Sequence, residues 1–338
     1  MLMRYLTGLC LLMAVVLFAC SKSSDTTSTV GNWVHRVDFK GVARQEAVTF
    51  TIVDTAFVGT GLDVNNDTLR DFYSYDADRN TWTQRASLPD GARARHSAVA
   101  FATEGKGYVG TGTDGVVKLN DFYAYNPDGN YWEPIAPFPG TARVGAVGFA
   151  VKTNGYVATG YDGNWLNDCW QYRPAENKWY TRSDVPLSKR ADAVAFVIAD
   201  KAYIVTGQSN LQLNNELSMY DADNDVWTLK RAITNVSDDS YDDEYTNITG
   251  YNCVAFVMNN KAYVCTGNRG GSISTVAWEY DPVNDLWDLK QAFEGSARTS
   301  AVGFAVRNRG FITTGVSGST PLSDTWEFQP SVEYNKND

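Results

Sequence analysis

Five arginines stand at one repeated distance from a Thr-Gly pair. Counting back 17 residues from the glycines of Thr60-Gly61, Thr111-Gly112, Thr159-Gly160, Thr206-Gly207, Thr266-Gly267 and Thr314-Gly315 gives Arg44, Arg95, Arg143, Arg190, Gly250 and Arg298. Counting forward eight to ten residues gives Asp71, Asp121, Asp168, Glu216, Val276 and Asp324, so the unit without the arginine is also without the acid. That joint loss predicts an arginine–carboxylate bridge inside each unit, with the glycine between them leaving the reach unobstructed. A guanidinium has five donors and a bidentate carboxylate uses two. The remaining donors make Arg44, Arg95, Arg143, Arg190 and Arg298 candidates for holding an acidic sugar or a carboxylate at a shared mouth.

Other residues bear on the same place. His96 follows Arg95, and Glu46 and Asp192 each fall two residues after an arginine of the set, from where both could project toward a common axis. A positioned acid and base are all that mutarotation of a sugar requires. Trp165, in Tyr161-Asp-Gly-Asn-Trp165, is either a loop-tip sugar platform or a packing residue against a neighbour. The stretch SDDSYDDEYTNITG, residues 237–250, gathers five acids between Asp238 and Glu244, but its spacing does not fit a calcium loop of the form D-x-[DN]-x-[DN]-G. It reads either as a solvated loop or as a lid. As a lid, its acids would fold toward Arg190 or Arg298, and Tyr241, Tyr245 or Tyr251 would cover the mouth.

The elements that must carry these residues repeat with them. Inner segments aligned as AVTF, AVAF, AVGF, AVAF, CVAF and AVGF, at 47–50, 98–101, 146–149, 193–196, 253–256 and 301–304, alternate large and small residues with the period of a strand. A further strand carries Tyr75, Tyr125, Tyr172, Tyr220, Tyr280 or Phe328. Seven residues after each tyrosine, Trp82, Trp132, Trp179, Trp227 or Trp287 opens the last strand. The sixth unit ends before its tryptophan, and Trp33, in residues 31–37, supplies it from the other end of the chain. The fold class is therefore all-β, a six-bladed propeller of four-stranded blades over residues 31–330 closed by the N-terminal strand, with 331–338 as a tail. The connections from Trp33, Trp132, Trp179 and Trp287 to the next equivalent position take 11 residues, whereas Trp227 to Gly250 takes 23, so residues 237–250 contain an insertion of about 12.

Thr-Gly followed by tyrosine and tryptophan at constant spacing, six times over, resembles the kelch-repeat propellers, including bacterial members similar to the galactose oxidase propeller domain. Thr-Gly stands where that family has Gly-Gly. The resemblance implies the fold but not the copper chemistry: the chain has two histidines, and His35 belongs to an outermost strand, so neither a metal nor another cofactor is expected. Kelch propellers of this kind include N-acetylneuraminate epimerases of the bacterial envelope. Two functions follow as expectations. One is a non-enzymatic module that binds a carbohydrate or protein through the loop face around the channel, with His96, Trp165, Tyr245, Tyr251 and the arginines as contacts. The other is an epimerase or mutarotase of an acidic sugar.

Residues 1–19 read as a signal peptide, with Arg4 before an apolar run too short to span a bilayer. The ending Leu17-Phe18-Ala19-Cys20 resembles a lipobox, implying acylation of Cys20, a Ser/Thr-rich linker over 20–30, and a monomer anchored in the cell envelope, most simply at the outer membrane. The formal charge of -10 becomes -11 once Arg4 is removed, which argues against nucleic acid as a partner. Cys169, Cys253 and Cys265 are too few for a disulfide framework, and a hairpin turning at Asn259-Asn260 sets Cys253 and Cys265 on opposite faces.

Overall fold

In the computed structural model, which describes residues 30–337, six antiparallel four-stranded sheets form the blades. The leader, Cys20 and nearly all of the linker lie outside the described residues. Blade 1 runs outward through Val48–Ile52, Thr55–Gly59, Phe72–Asp76 and Thr81–Arg85. Blades 2 to 5 begin at inner strands Val99–Thr103, Val147–Val151, Val194–Ile198 and Val254–Met258. Blade 6 takes Val302–Val306, Arg309–Thr313 and Thr325–Gln329 from the end of the chain and Asn32–Arg36 from its start.

The closing strand reproduces the register of the others. Trp33 lies opposite Phe328 as Trp82 lies opposite Tyr75. Its indole Nε1 donates to the Gln291 carbonyl of blade 5 at 3.2 Å, matching Trp132 to Ala86 (2.8 Å), Trp179 to Ala136 (3.0 Å) and Trp227 to Ser183 (2.8 Å). These four tryptophans tie their outer strands to the blade before, whereas the buried Nε1 groups of Trp82 and Trp287 make no hydrogen bond. Trp33 is fully buried, and removing so large a core side chain costs about 3–5 kcal/mol.

The inner strands split their faces by size. In blade 1 the bulky Val48, Phe50 and Ile52 are buried, with Phe50 stacked on Phe57 at 5.1 Å, while Thr49 and Thr51 are partly exposed. Small residues occupy the other face, and with one inner strand from each blade they line an axial channel beside Ala100, Gly148, Ala195, Ala255 and Gly303. A large residue there would fill the bore, so the alternation read from the sequence is the condition for six sheets to converge. In blade 5 Val254 pairs with Cys265, which places Cys253 outside that pair, and both cysteines are buried free thiols.

Candidate functional site

The arginine set forms the expected bridges. Arg44 donates from Nη1 and Nη2 to the two carboxylate oxygens of Asp71 at 2.7 and 2.9 Å, from Nη1 to the Thr60 carbonyl at 3.0 Å, and from Nε to the Val42 carbonyl at 3.1 Å. Arg95 with Asp121, Arg143 with Asp168 and Arg298 with Asp324 repeat this fork, while Arg190 reaches Glu216 Oε2 with Nη2 alone, at 2.8 Å. The expectation of spare donors at a mouth is corrected: all five arginines are at most 1% exposed. Their donors go to the carboxylate and backbone carbonyls, and Phe39, Phe138 and Phe293 lie 4.8, 4.9 and 4.8 Å from the guanidinium carbons of Arg44, Arg143 and Arg298.

The glycine of each Thr-Gly pair has a different reason from the one expected. Gly61 has φ +101°, and a Cβ there would meet the Gln45 carbonyl of the same blade at 2.6 Å, so backbone crowding rather than arginine access demands glycine. Its N–H donates to the Arg95 carbonyl of the next blade at 2.8 Å, and the same bond links Gly112 to Arg143, Gly160 to Arg190, Gly207 to Gly250, Gly267 to Arg298 and Gly315 to Arg44. These bonds form a closed circuit through all six blades.

Blade 5 replaces its missing bridge from another direction. Arg269, after the Thr266-Gly267 pair, donates from Nε to the Thr266 carbonyl at 3.0 Å and from Nη1 to the Asn247 carbonyl at 2.7 Å and the Ile248 carbonyl. It fastens the insertion to the blade. The insertion is therefore packed rather than poised: Ile248 and Tyr245 are buried among Trp278, Trp287 and Leu217, and Tyr245 Oη accepts the Trp287 N–H at 2.7 Å. Tyr245 is thus a core residue, correcting its place among the ligand contacts. Asp242, fully buried, accepts the N–H groups of Val236 and Ser237, both at 2.9 Å. The acids of the insertion do not meet Arg190 or Arg298, whose carboxylate partners are Glu216 and Asp324.

A second circuit surrounds the axis. Glu46, Ser97, Gly145, Asp192, Asn252 and Ser300 open the inner strands, and all have φ between 50° and 61°. Each donates its N–H to the carbonyl of its counterpart one blade back, Glu46 to Ser300, Ser97 to Glu46, Gly145 to Ser97, Asp192 to Gly145, Asn252 to Asp192 and Ser300 to Asn252, at 2.8–3.2 Å. These six residues line a cavity of about 160 Å³ at the entrance of the channel. Glu46 and Asp192 stand three places apart in a ring of six, hence on opposite sides of the axis.

Their environments pull the two carboxyls apart. Burial pushes Glu46 up, but hydrogen bonds with His96 and Ser97 and the charge of the imidazole more than offset it and hold the carboxyl below its ordinary value. Burial, aided by repulsion from Glu46, pushes Asp192 up against the Gln208 Nε2 hydrogen bond of 3.2 Å. His96 Nδ1 lies 2.6 Å from Glu46 Oε2 and 3.1 Å from Ser97 Oγ. An ionised Glu46 can only accept, so Nδ1 carries the proton, and in the neutral tautomer Nε2 keeps an acceptor lone pair.

The remaining sequence candidates divide. His96 and the half-buried Tyr251 each directly precede a ring residue, and Tyr251 pairs with Asn268 of its own blade. Trp165 packs on Tyr161 of its own loop at 4.9 Å between ring centres, and Tyr161, bridged to Val144 next to Gly145, also receives Lys118 Nζ at 5.5 Å. The ring as a set was not found from sequence, although a fixed offset of two from the arginine positions names all six members. Among the described residues, nowhere do three or more His, Cys, Asp or Glu side chains gather as ligands for a metal.

Closed six-fold geometry, four-stranded blades and repeated Tyr and Trp anchors define a six-bladed β-propeller. In sequence, residues 26–184 match the family described as the KLHDC2/KLHL20/DRC7 Kelch-repeats domain. Among solved structures the chain is similar to one titled "Structure of YjhT", with a TM-score of 0.68 and 18% identity over 85% of this chain and 95% of that one. No curated protein matches the chain in sequence.

Proposed function

We propose that this protein binds a carbohydrate on the loop face around the axial cavity. The observation that carries the reading is the gathering of Glu46, His96 and Ser97 from adjacent blades on the rim of a cavity whose far side holds Asp192. Carboxylates and an imidazole supply polar groups to which sugar hydroxyls can bond, and the Tyr161–Trp165 pair offers an aromatic surface beside the same ring. With the arginines buried and two carboxyls at the entrance, the charge there favours a neutral sugar over an acidic one. Calorimetry with galactose, N-acetylglucosamine and N-acetylneuraminate tests this. Binding of a neutral sugar, weakened about tenfold or more in Glu46→Ala, supports it; no heat from any of the three, or an unaffected variant, rejects it.

A second reading, mutarotation of the bound sugar, is supported by the opposite displacement of the two carboxyls. Such a reaction needs one group that donates a proton and one that accepts it, and the raised Asp192 and lowered Glu46 carboxyls differ in that sense. Anomer-resolved NMR decides: equilibration accelerated by the protein and slowed by both Glu46→Gln and Asp192→Asn would establish turnover. The lipobox-like ending at Cys20 supports placement of the propeller at the envelope through a lipid, so Cys20→Ser should move the protein from the membrane fraction to the soluble one.

A further inference from the structure

The junction between blades 4 and 5 departs from the repeat in three ways at one place. After each Thr-Gly pair, one residue returns its N–H to the glycine carbonyl: Leu69, Leu119, Leu166, Asn214, Ser274 and Leu322. Leucine fills this place in four blades, and its carbonyl accepts the N–H of the next blade's arginine from Leu69 to Arg95, Leu166 to Arg190 and Leu322 to Arg44. Blade 4 puts Asn214 there, and the following position is Gly250 rather than an arginine, held by the Gly207 N–H at 2.7 Å. The connection between the blades is also the one that carries the insertion.

A cavity of about 400 Å³ opens where these departures coincide. Its wall includes Ser188, Ser209, Asn214, Glu216, Thr234 and Thr249. Thr234 and Thr249 come from the two ends of the enlarged connection, and Ser209 from the hairpin of Gln208–Ser209 with Gln212–Leu213. Asn214 is 5% exposed, and its Oδ1 is buried without a hydrogen-bond partner. A buried carbonyl oxygen left unpaired costs about 1–3 kcal/mol, so it calls for a donor from outside the chain.

We infer that this inter-blade notch is a second binding site, and that it takes a neutral, hydroxyl-rich molecule such as a sugar residue. Asn214 Oδ1 accepts from a ligand hydroxyl. The serine and threonine hydroxyls can donate or accept, which matches a ligand whose every hydroxyl does both. Glu216 adds a carboxylate already engaged by Arg190 Nη2 and by Ser188 Oγ, both at part-buried positions, so it disfavours anions without offering a free charge. The volume lies within the range of small-molecule sites, about 300–1,000 Å³. Gln208, at the base of the hairpin, is also the hydrogen-bond partner of Asp192, so the hairpin connects the notch with the axial ring. The assignment does not require the axial site to bind anything.

The test is saturation-transfer NMR on the intact chain with galactose and N-acetylglucosamine as probes, comparing the native protein with Asn214→Leu and Glu46→Ala. Asn214→Leu restores the residue that four other blades carry at this place and fills the notch. Expected is a probe signal that survives Glu46→Ala and whose affinity falls about tenfold or more in Asn214→Leu, with melting at or above that of the native chain. Should Asn214→Leu misfold, Thr249→Leu probes the opposite wall. No signal from either probe, or a signal indifferent to both notch variants, means that the cavity holds only water and overturns the proposal; failure of the axial reading would appear separately, as loss of nothing in Glu46→Ala.

Discussion

Blade 5 and the five blades that carry an arginine satisfy the same buried carbonyl in different ways. In five blades, the threonine carbonyl of the Thr-Gly pair accepts from an arginine at the blade entry that is itself gripped by an acid of the third strand. In blade 5 the arginine comes from the loop after the pair, and its second contact is the backbone of the insertion. A repeated charged residue is thus an architectural part, because every copy meets the same need. The departure from the repeat is where the surface acquires a new shape, and the notch beside Asn214 lies at that departure.

The largest expected effect breaks the common solution. Arg143→Ala strands the Asp168 carboxylate and the Thr159 carbonyl together, and denaturant melts should show a loss of about 3 kcal/mol or more. A loss below about 1 kcal/mol would show that the bridge is ornamental. Arg269→Ala removes only hydrogen bonds to backbone carbonyls and should cost about 1–3 kcal/mol, with the insertion gaining protease sensitivity that Arg143→Ala does not confer. Equal sensitivity in both variants would erase the distinction between the two kinds of blade.

The smallest effect has the opposite sign and concerns pH. Asp121, Asp324 and Glu46 have folded values below their ordinary ones. Their stabilisation is present above the ordinary values of 3.8, 3.8 and 4.5 and is lost as pH falls through the folded values. Asp192 is raised above 3.8, so it favours the native state at low pH and loses that contribution as pH rises through its folded value. Asp192→Asn should therefore melt higher than the native protein near neutral pH, with the difference shrinking on acidification. A variant that melts lower at neutral pH would mean that the surroundings of Asp192 favour its carboxylate, contrary to the upward displacement.

Much of this architecture is legible in the sequence because a repeat displays each requirement six times. The tryptophan offsets located the closing strand, and the joint absence of arginine and acid at Gly250 and Val276 revealed their pairing. What the repeat could not show were contacts made once. Arg269 has no counterpart at a constant offset, and Tyr245 looked like an exposed tyrosine in an acidic loop, since nothing local reveals that Trp278 and Trp287 wait beside it. The direction of the arginines was also hidden: their offset is the same whether they face the channel or the blade interior, and their burial settles it, with Phe39, Phe138 and Phe293 against three of them.

The axial ring of left-handed residues has a further consequence. Its hydrogen bonds run entirely through backbone atoms and have no loose end, so the width of the entrance is fixed without help from any side chain. The six side chains behave like interchangeable tools on a rigid turret: glutamate, serine, glycine, aspartate, asparagine and serine occupy equivalent seats with the same backbone posture. Chemistry at this entrance can therefore be rewritten one seat at a time, most easily with residues that tolerate a positive φ, while the propeller beneath it stays as it is.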